Sequence, residues 1–222
     1  AEELDVPVAV HGPALPGFFR QYFDINRPDH VLEAQHMAHA FAQMLACSNV
    51  ITSGVLERFS KLRIAFLEAG SGWVPYWMHR MDEYNEVAPE RWAMISSEPS
   101  DYIKSGRVFF SCEPGDADIP YFLENIGEQA MLFASDYLHF DALFVGETGH
   151  DGKPYPGTVH SLLARDDIAD SAKTKMMYDN SVAFYKNLLP TDLGKIGDPV
   201  AWEEPDAVRN MDFPGTVGAR LN

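Results

Sequence analysis

Short apolar runs alternate along this chain with longer segments whose apolar residues recur every three or four positions. Four runs have the length and apolar density of buried strands, at residues 6–10, 62–67, 107–111 and 131–134. Apolar residues are nearly continuous within these runs, which is typical of parallel strands covered on both faces of the sheet. The pattern therefore predicts a parallel sheet.

Helical spacing of apolar residues predicts helices between and after these strands, at residues 31–47, 73–84, 119–129 and 172–189. Asp29 and Ser71 are candidate N-caps for the first two helices. Strand alternating with helix indicates βα units, of which there are four, whereas a TIM barrel needs eight over roughly 250 residues. Residues 190–222 are polar and rich in Pro and Gly, so we expect an extended tail that packs on the barrel or on a neighbouring subunit.

A His, Asp or Glu follows each predicted strand. These residues are His11, Glu68, Glu113 and Asp136. Each alone is explained as a loop hydrogen-bonding group, a helix cap or a turn residue. The carboxyl ends of parallel strands meet at one edge of the sheet, and imidazole and carboxylate groups there are suitable ligands for a divalent metal. Their occurrence at all four equivalent positions favours a metal site in which one carboxylate can also move protons.

Four segments carry a resemblance to a known family: AEELDVPVAVHG, SGVLERFSKLRIAFLEAGSGWVPYWMHRMDE, PSDYIKSGRVFFSCEP and MLFASDYLHFD. In this order they resemble successive blocks of the amidohydrolase-related family, which includes aminocarboxymuconate-semialdehyde decarboxylase and related aromatic-acid decarboxylases. The similarity spans about residues 1–188. It implies an α/β fold of the metal-dependent hydrolase type, a (β/α)8 TIM barrel, with residues 1–189 supplying strands five to eight and their helices.

The resemblance also implies roles for individual residues. His11 matches the metal-ligand His at the end of strand five, and Asp136 matches the strand-eight Asp that binds metal and helps to activate water or substrate. His139 resembles a family His that supports the site or contacts substrate, with Leu138 in place of the family's Pro. Glu68 stands where the decarboxylases carry a catalytic His. A carboxylate there makes the site richer in oxygen ligands, so iron and manganese are alternatives to zinc, the first choice.

The family's first-strand His-x-His pair has no counterpart in this chain. His36 and His39 are three residues apart on a predicted helix, and we interpret them as core or interface histidines. The resemblance therefore predicts an obligate complement, either another polypeptide or a missing segment, that carries strands one to four. We accordingly expect an oligomer or heteromeric assembly. Glu113 and Trp73 are candidate substrate-binding residues, together with His139.

The composition narrows the classes of partner and the cell compartment. The formal net charge of -16 argues against binding to nucleic acid or to an anionic membrane surface. No apolar run reaches the roughly 18 residues of a membrane span, and no signal peptide opens the chain. Two cysteines fit a reducing compartment, so we expect a cytoplasmic protein.

The favoured function is a metal-dependent hydrolase that acts on a small organic acid, amide or related molecule. Asp136 and Glu68 are the candidate catalytic residues, and His11, Glu68 and Asp136 are the candidate metal ligands. Three alternatives stay open: non-oxidative decarboxylation at the same site, a carboxylate-bridged diiron oxygenase, and a non-catalytic subunit of a heteromeric enzyme.

Overall fold

A computed structural model describes residues 1–12, 28–136, 139, 144–149 and 152–188 of the 222-residue chain, with the backbone alone at 28–36, 91 and 187. The predicted tail at residues 190–222 lies outside these residues. Its packing on the barrel or a neighbour therefore stays a prediction.

The centre of the fold is a four-stranded sheet with the strands in chain order and every neighbouring pair parallel. The strands are β1 (Val8–His11), β2 (Ile64–Leu67), β3 (Val108–Cys112) and β4 (Met131–Phe133). All four predicted strands are confirmed, with their ends displaced by at most two residues. The pairing places His11 opposite Leu67, so the first two strands end side by side.

Helices follow the strands and cover the sheet. They are α1 (Pro28–Thr52), α2 (Val55–Arg58), α3 (Trp73–Val87), α4 (Pro99–Ile103), α5 (Ile119–Asn125), α6 (Thr158–Leu163), α7 (Asp170–Thr174) and α8 (Asn180–Tyr185). A π-helical turn at Lys175–Asp179 joins α7 to α8, so the last predicted helix is found with a local irregularity. The helices α2, α4 and α6 were not predicted, because four to six residues are too few to show helical periodicity.

Both predicted helix caps are wrong. Asp29 lies within α1 and not ahead of it. Gly72 occupies the N-cap position of α3, where no side chain caps the helix. The hydroxyl of Ser71 is buried and has no hydrogen-bond partner among the described residues. Helix α3 thus begins directly after the tight turn that follows β2, without the side-chain cap that the sequence suggested.

The two faces of the sheet are covered unequally. One face contains the larger cluster, in which the ring of Phe110 stacks on Phe66 with centroids 5.6 Å apart and meets Phe122 edge-on, also at 5.6 Å. The smaller cluster on the other face includes Phe109, whose ring lies 5.2 Å from that of Phe184 in α8. Alternate residues of β3 thus point into different clusters, as the pleat requires.

A buried arginine ties three segments together at the amino ends of the strands. The guanidinium of Arg63 donates to the carbonyl of Phe184 at 2.7 Å, to Asp5 Oδ1 at 2.5 Å and to the Asp5 carbonyl at 2.8 Å. Only 4% of the Arg63 side chain is exposed. The charge is therefore stabilised by a carboxylate and two carbonyls, as a buried cation requires.

Strand β1 is the exposed edge of this sheet. Val8 is 36% exposed and the His11 side chain 61%, whereas every residue of β3 is buried. β1 has a single strand neighbour, β2, among the described residues. In the part of the chain that the structure describes, no helix is long and apolar enough to cross a membrane.

Candidate metal centre

A pocket of about 170 Å³ opens at the carboxyl ends of the four strands. His11, Glu68, Glu113 and Asp136 all line it. The structure thus brings together all four strand-end residues that the sequence singled out. This is the edge at which parallel α/β proteins usually bind ligands.

Glu68 and Asp136 share an uncommon backbone conformation. Their φ angles are +57° and +52°, in the left-handed region that residues with a Cβ atom seldom adopt. At Glu68 the turn is held by a neighbouring strand, because the backbone N–H donates to Ser111 Oγ at 2.9 Å. Backbone strain of this kind concentrates at functional sites, where surrounding contacts hold the residue in place.

His11 is oriented by its own loop. Its Nδ1 lies 2.8 Å from the carbonyl oxygen of Gly12, and its Nε2 lies 2.5 Å from Glu68 Oε2. A backbone carbonyl at one ring nitrogen leaves the other nitrogen facing the pocket. Metal-binding histidines in proteins are commonly held in this way. His11 therefore presents Nε2 toward the carboxylate of Glu68.

A second histidine, His139, lies close to both carboxylates. His139 Nδ1 lies 3.3 Å from Asp136 Oδ2, and the ligand atoms of Glu68, Asp136 and His139 all lie within 4.8 Å of one another. Two atoms that bind one ion at about 2.0–2.2 Å are at most about 4.4 Å apart. Small side-chain movements would therefore let this group hold a divalent cation.

The two other predicted substrate-binding residues lie in different surroundings. Glu113 lines the pocket, and its backbone N–H donates to Asp116 Oδ2 at 3.1 Å. Trp73 is not among the residues that line the pocket: its indole N–H donates to the Gly70 carbonyl at 3.1 Å, and its ring packs edge-on against Phe110. Substrate contacts by either residue stay predictions.

Two residues of α1 that were not foreseen as site residues approach the strand ends. Gln43 is fully buried, and its Nε2 donates to the carbonyls of Val10 and Leu67 at 2.8 and 2.9 Å. His39 Nδ1 lies 3.7 Å from Glu68 Oε2. Their spacing of four residues, which places them on one face of the helix, was visible in the sequence, but it did not show that this face meets the strands.

Burial modifies the titration of two further groups in the pocket wall. It raises the pKa of Asp116 above its usual range, with a smaller contribution from the charge of Asp118. It also raises the pKa of the Cys112 thiol to about 12, so this sulfur is protonated at neutral pH. Because thiolates rather than thiols are nucleophiles and metal ligands, Cys112 lines the pocket by packing and is not a reactive group.

The fold and this edge of the sheet define an α/β protein with a candidate metal centre at the ends of parallel strands. The sequence matches the Amidohydrolase family over residues 1–186, and the chain belongs to that family. The resemblance to the amidohydrolase-related family that the sequence suggested is thereby confirmed. No curated protein matches the chain.

Solved structures of the same fold come from several bacteria. An amidohydrolase from Mycobacterium avium subsp. paratuberculosis K-10 is 21% identical, with a TM-score of 0.62 over 82% of this chain and 42% of its own. The 5-carboxyvanillate decarboxylase of Sphingomonas paucimobilis is 16% identical, with a TM-score of 0.60 over 83% of this chain and 50% of its own.

A third structure contains a metal. The dihydroxybenzoic acid decarboxylase of Polaromonas sp. JS666, solved with bound manganese and 2-nitroresorcinol, is 19% identical, with a TM-score of 0.53 over 86% of this chain and 53% of its own. At these identities the likeness establishes the fold. The chain spans about half the length of the solved structures that it matches.

Proposed function

We propose that this chain supplies part of the active site of a metal-dependent hydrolase that acts on a small organic acid, amide or related molecule. The observation that carries the proposal is the meeting of His11, Glu68 and Asp136 in one pocket. These residues lie at the carboxyl ends of three different strands, and two of them have left-handed backbones. His11, Glu68 and Asp136 would hold the ion, and Asp136 and Glu68 would carry the catalysis.

The donor set fits a divalent cation. It combines two carboxylates, whose ligand oxygens lie within 4.8 Å of each other and would need a small approach to share one ion, with the imidazole of His11. That imidazole is held by a carbonyl at its other ring nitrogen and meets Glu68, but it lies outside the 4.8 Å group that the two carboxylates form with His139. A divalent ion held there would polarise a substrate oxygen and make water more acidic. Oxygen and nitrogen donors together suit zinc, iron or manganese.

The chain's own groups would bind substrate and move the proton. Glu68 has one carboxylate oxygen against His11 Nε2, so it can pass a proton toward the pocket or accept one from it. Asp136 faces the ring nitrogen of His139, which can orient that carboxylate. Glu113 lines the pocket and His139 lies beside Asp136, and we assign both to substrate binding. Trp73 would support the substrate-binding residues from its position against Phe110.

Non-oxidative decarboxylation is the second candidate. Structures with the same fold are named as decarboxylases of 5-carboxyvanillate and of dihydroxybenzoates, which supports carboxyl-bearing substrates for this site. Hydrolysis remains the favoured reaction, because Glu68 stands where the resemblance places a catalytic histidine in the decarboxylases. A carboxylate in that position is suited to accept a proton from water.

Isotope and gas measurements separate the two reactions. The assembled, metal-loaded protein is incubated in H₂¹⁸O with a panel of small amides and esters, and separately with 5-carboxyvanillate and 2,6-dihydroxybenzoate. Hydrolysis places ¹⁸O in the product acid, whereas decarboxylation releases CO₂.

Glu68→Gln should lower turnover by roughly 100-fold or more while the fold is retained. Near-normal turnover by that variant would remove Glu68 from the chemistry. Consumption of O₂ would instead favour an oxygenase. If the assembly contains no metal and shows no turnover, the chain would be a non-catalytic subunit.

We also propose that a complement carrying strands one to four, in a separate subunit or in another segment, closes the barrel against β1 and β4. The match to half of each solved structure supports this, as does the exposure of β1. Apolar surface left wet costs about 25 cal/mol per Å². An interface that buried both edges should exceed the roughly 2,000 Å² typical of obligate complexes.

Sedimentation of residues 1–222 alone and with the complement tests this second proposal. We expect the isolated chain to aggregate, swap segments or lack cooperative unfolding, and the mixture to give one defined, cooperatively unfolding species. A stable monomer of the isolated chain that binds metal would overturn the proposal.

A further inference from the structure

We infer that His39 is a further ligand of the cation at this centre, so that helix α1 contributes to a site otherwise built from strand ends. The inference rests on the proposed function, because it concerns the same ion. It adds a further imidazole from this chain to those of His11 and His139, and it places His11 and His39 beside the same carboxylate oxygen of Glu68.

The distance between His39 and Glu68 is the first observation. His39 Nδ1 lies 3.7 Å from Glu68 Oε2, beyond the roughly 3.2 Å limit of a good N–H···O hydrogen bond. It is within the spacing of two atoms that each bind one ion at about 2.0–2.2 Å. The rings of His39 and His11 meet edge-on, with centroids 6.0 Å apart. Both imidazoles thus approach the same carboxylate oxygen.

The residue after His11 makes room for the His39 ring. A Cβ atom on Gly12 would lie 2.9 Å from His39 Cδ2 and 3.1 Å from His39 Cα, closer than ordinary van der Waals contact. Any other residue at position 12 would therefore push against both the ring and the backbone of α1. The glycine allows this helix to bring an imidazole directly beside the metal-binding loop.

One helical turn further along, Gln43 fixes α1 to the same strand ends. Its amide nitrogen donates to the carbonyls that immediately precede His11 and Glu68, those of Val10 and Leu67. Residues four apart lie above one another on a helix, so this anchor also sets the height and rotation of His39. Gln43 thereby holds the helix face that carries His39 against both strands that end in the candidate ligands His11 and Glu68.

The ligand set has a consequence for metal preference. Imidazole nitrogen raises affinity for zinc and cobalt more than for manganese or magnesium, which prefer oxygen. A site with His11 and His39 beside its carboxylates should therefore bind Co²⁺ and Zn²⁺ more tightly than Mn²⁺. Removal of His39 should reduce that difference in affinity.

Cobalt spectroscopy tests the assignment in the native assembly that contains this chain. In His39→Cys, a thiolate at the ligand position should produce a thiolate-to-cobalt charge-transfer band that the wild type lacks. In His39→Ala and the bulkier His39→Gln, Co²⁺ affinity should fall by at least about tenfold. The matched controls are His160→Cys and His160→Ala, at an exposed histidine of α6 outside the pocket; they should give no band and unchanged affinity.

The outcomes separate the inference from the function on which it rests. If the wild type binds Co²⁺ while the His39 variants bind it equally well and His39→Cys shows no band, His39 is not a ligand and the metal site stands. If the wild type binds no divalent cation, the metal-dependent function fails and the inference fails with it. Thermal unfolding of the metal-free variants distinguishes lost packing from lost ligation, because only lost packing lowers the stability of the metal-free protein.

Discussion

Glu68 and Asp136 reach the same cation-sized space from strands that are not neighbours, each through a residue with positive φ. Their ligand oxygens lie within 4.8 Å of one another although β3 separates β2 from β4. Two carboxylates this close repel each other in the absence of a counter-charge. A divalent cation between them would relieve that repulsion, which supports the proposed metal site.

Because the backbone of Glu68 is left-handed, we expect two substitutions of this residue to differ in folding stability while both weaken metal binding. Glu68→Gly should be more stable than Glu68→Ala by about 1 kcal/mol, because glycine adopts positive φ without the steric cost of a Cβ atom. Both variants should lose metal affinity. The measurement is urea unfolding of the metal-free assembly, with Glu113→Gly and Glu113→Ala as the control pair. Equal stability of the two Glu68 variants would contradict the strain.

Ser111 is expected to position Glu68 from the neighbouring strand. Ser111→Ala removes the acceptor at 2.9 Å from the Glu68 N–H, which should cost about 1 kcal/mol and weaken metal binding by roughly tenfold. Isothermal titration with Mn²⁺ or Zn²⁺ measures the affinity, and Ser97→Ala is an exposed control. Unchanged affinity in Ser111→Ala would mean that Glu68 keeps its geometry without this hydrogen bond.

The amide of Gln43 should stabilise the site through two strand ends at once. Gln43→Leu keeps an apolar stem but removes the donor from the Val10 and Leu67 carbonyls, so we expect a loss of about 1–3 kcal/mol in unfolding free energy. Gln129→Leu, at an exposed glutamine with one 3.3 Å hydrogen bond, should change stability by less than about 0.5 kcal/mol. Comparable losses in the two variants would show that the Gln43 anchor is dispensable.

Acid stability should depend on Glu57, which lies away from the centre. Hydrogen bonds from the side chain of Ser96 and from Tyr102, with one from the Ser96 backbone, lower the pKa of Glu57 from 4.5 to about 2. A carboxyl with a lowered folded-state pKa contributes stability above its unfolded pKa and loses it as the pH falls through the folded value. Wild-type stability should thus decline between about pH 4.5 and 2, and more steeply than that of Glu57→Gln.

Thermal unfolding across this pH range measures the difference. Glu90→Gln, at an exposed carboxylate in the nearby 3₁₀ helix Pro89–Trp92, serves as the control and should follow the wild type. Parallel pH profiles for wild type and Glu57→Gln would contradict a role for the Glu57 hydrogen bonds.

The strand ends could be predicted from the sequence because dense apolar runs mark buried parallel strands, and each run ends at a charged or imidazole residue. The approach of His39 could not, because helical periodicity gives the faces of α1 but not which face meets the strands. Left-handed φ at Glu68 and Asp136 was equally hidden. Neither is a glycine, and the conformation depends on contacts such as the one from Ser111 on another strand. Trp73 shows the opposite case, in which an aromatic residue near the pocket packs into the core.

The buried Arg63 couples the unfolding of two segments that are far apart in the sequence. One guanidinium holds Asp5, just ahead of β1, and Phe184, in α8, so neither segment can detach without leaving a buried cation short of partners. Local opening of α8 should therefore be coupled to fraying of the edge strand. In hydrogen exchange, the amides of β1 and α8 should lose their protection together, as one cooperative unit, even though β1 ends at residue 11 and α8 begins at residue 180.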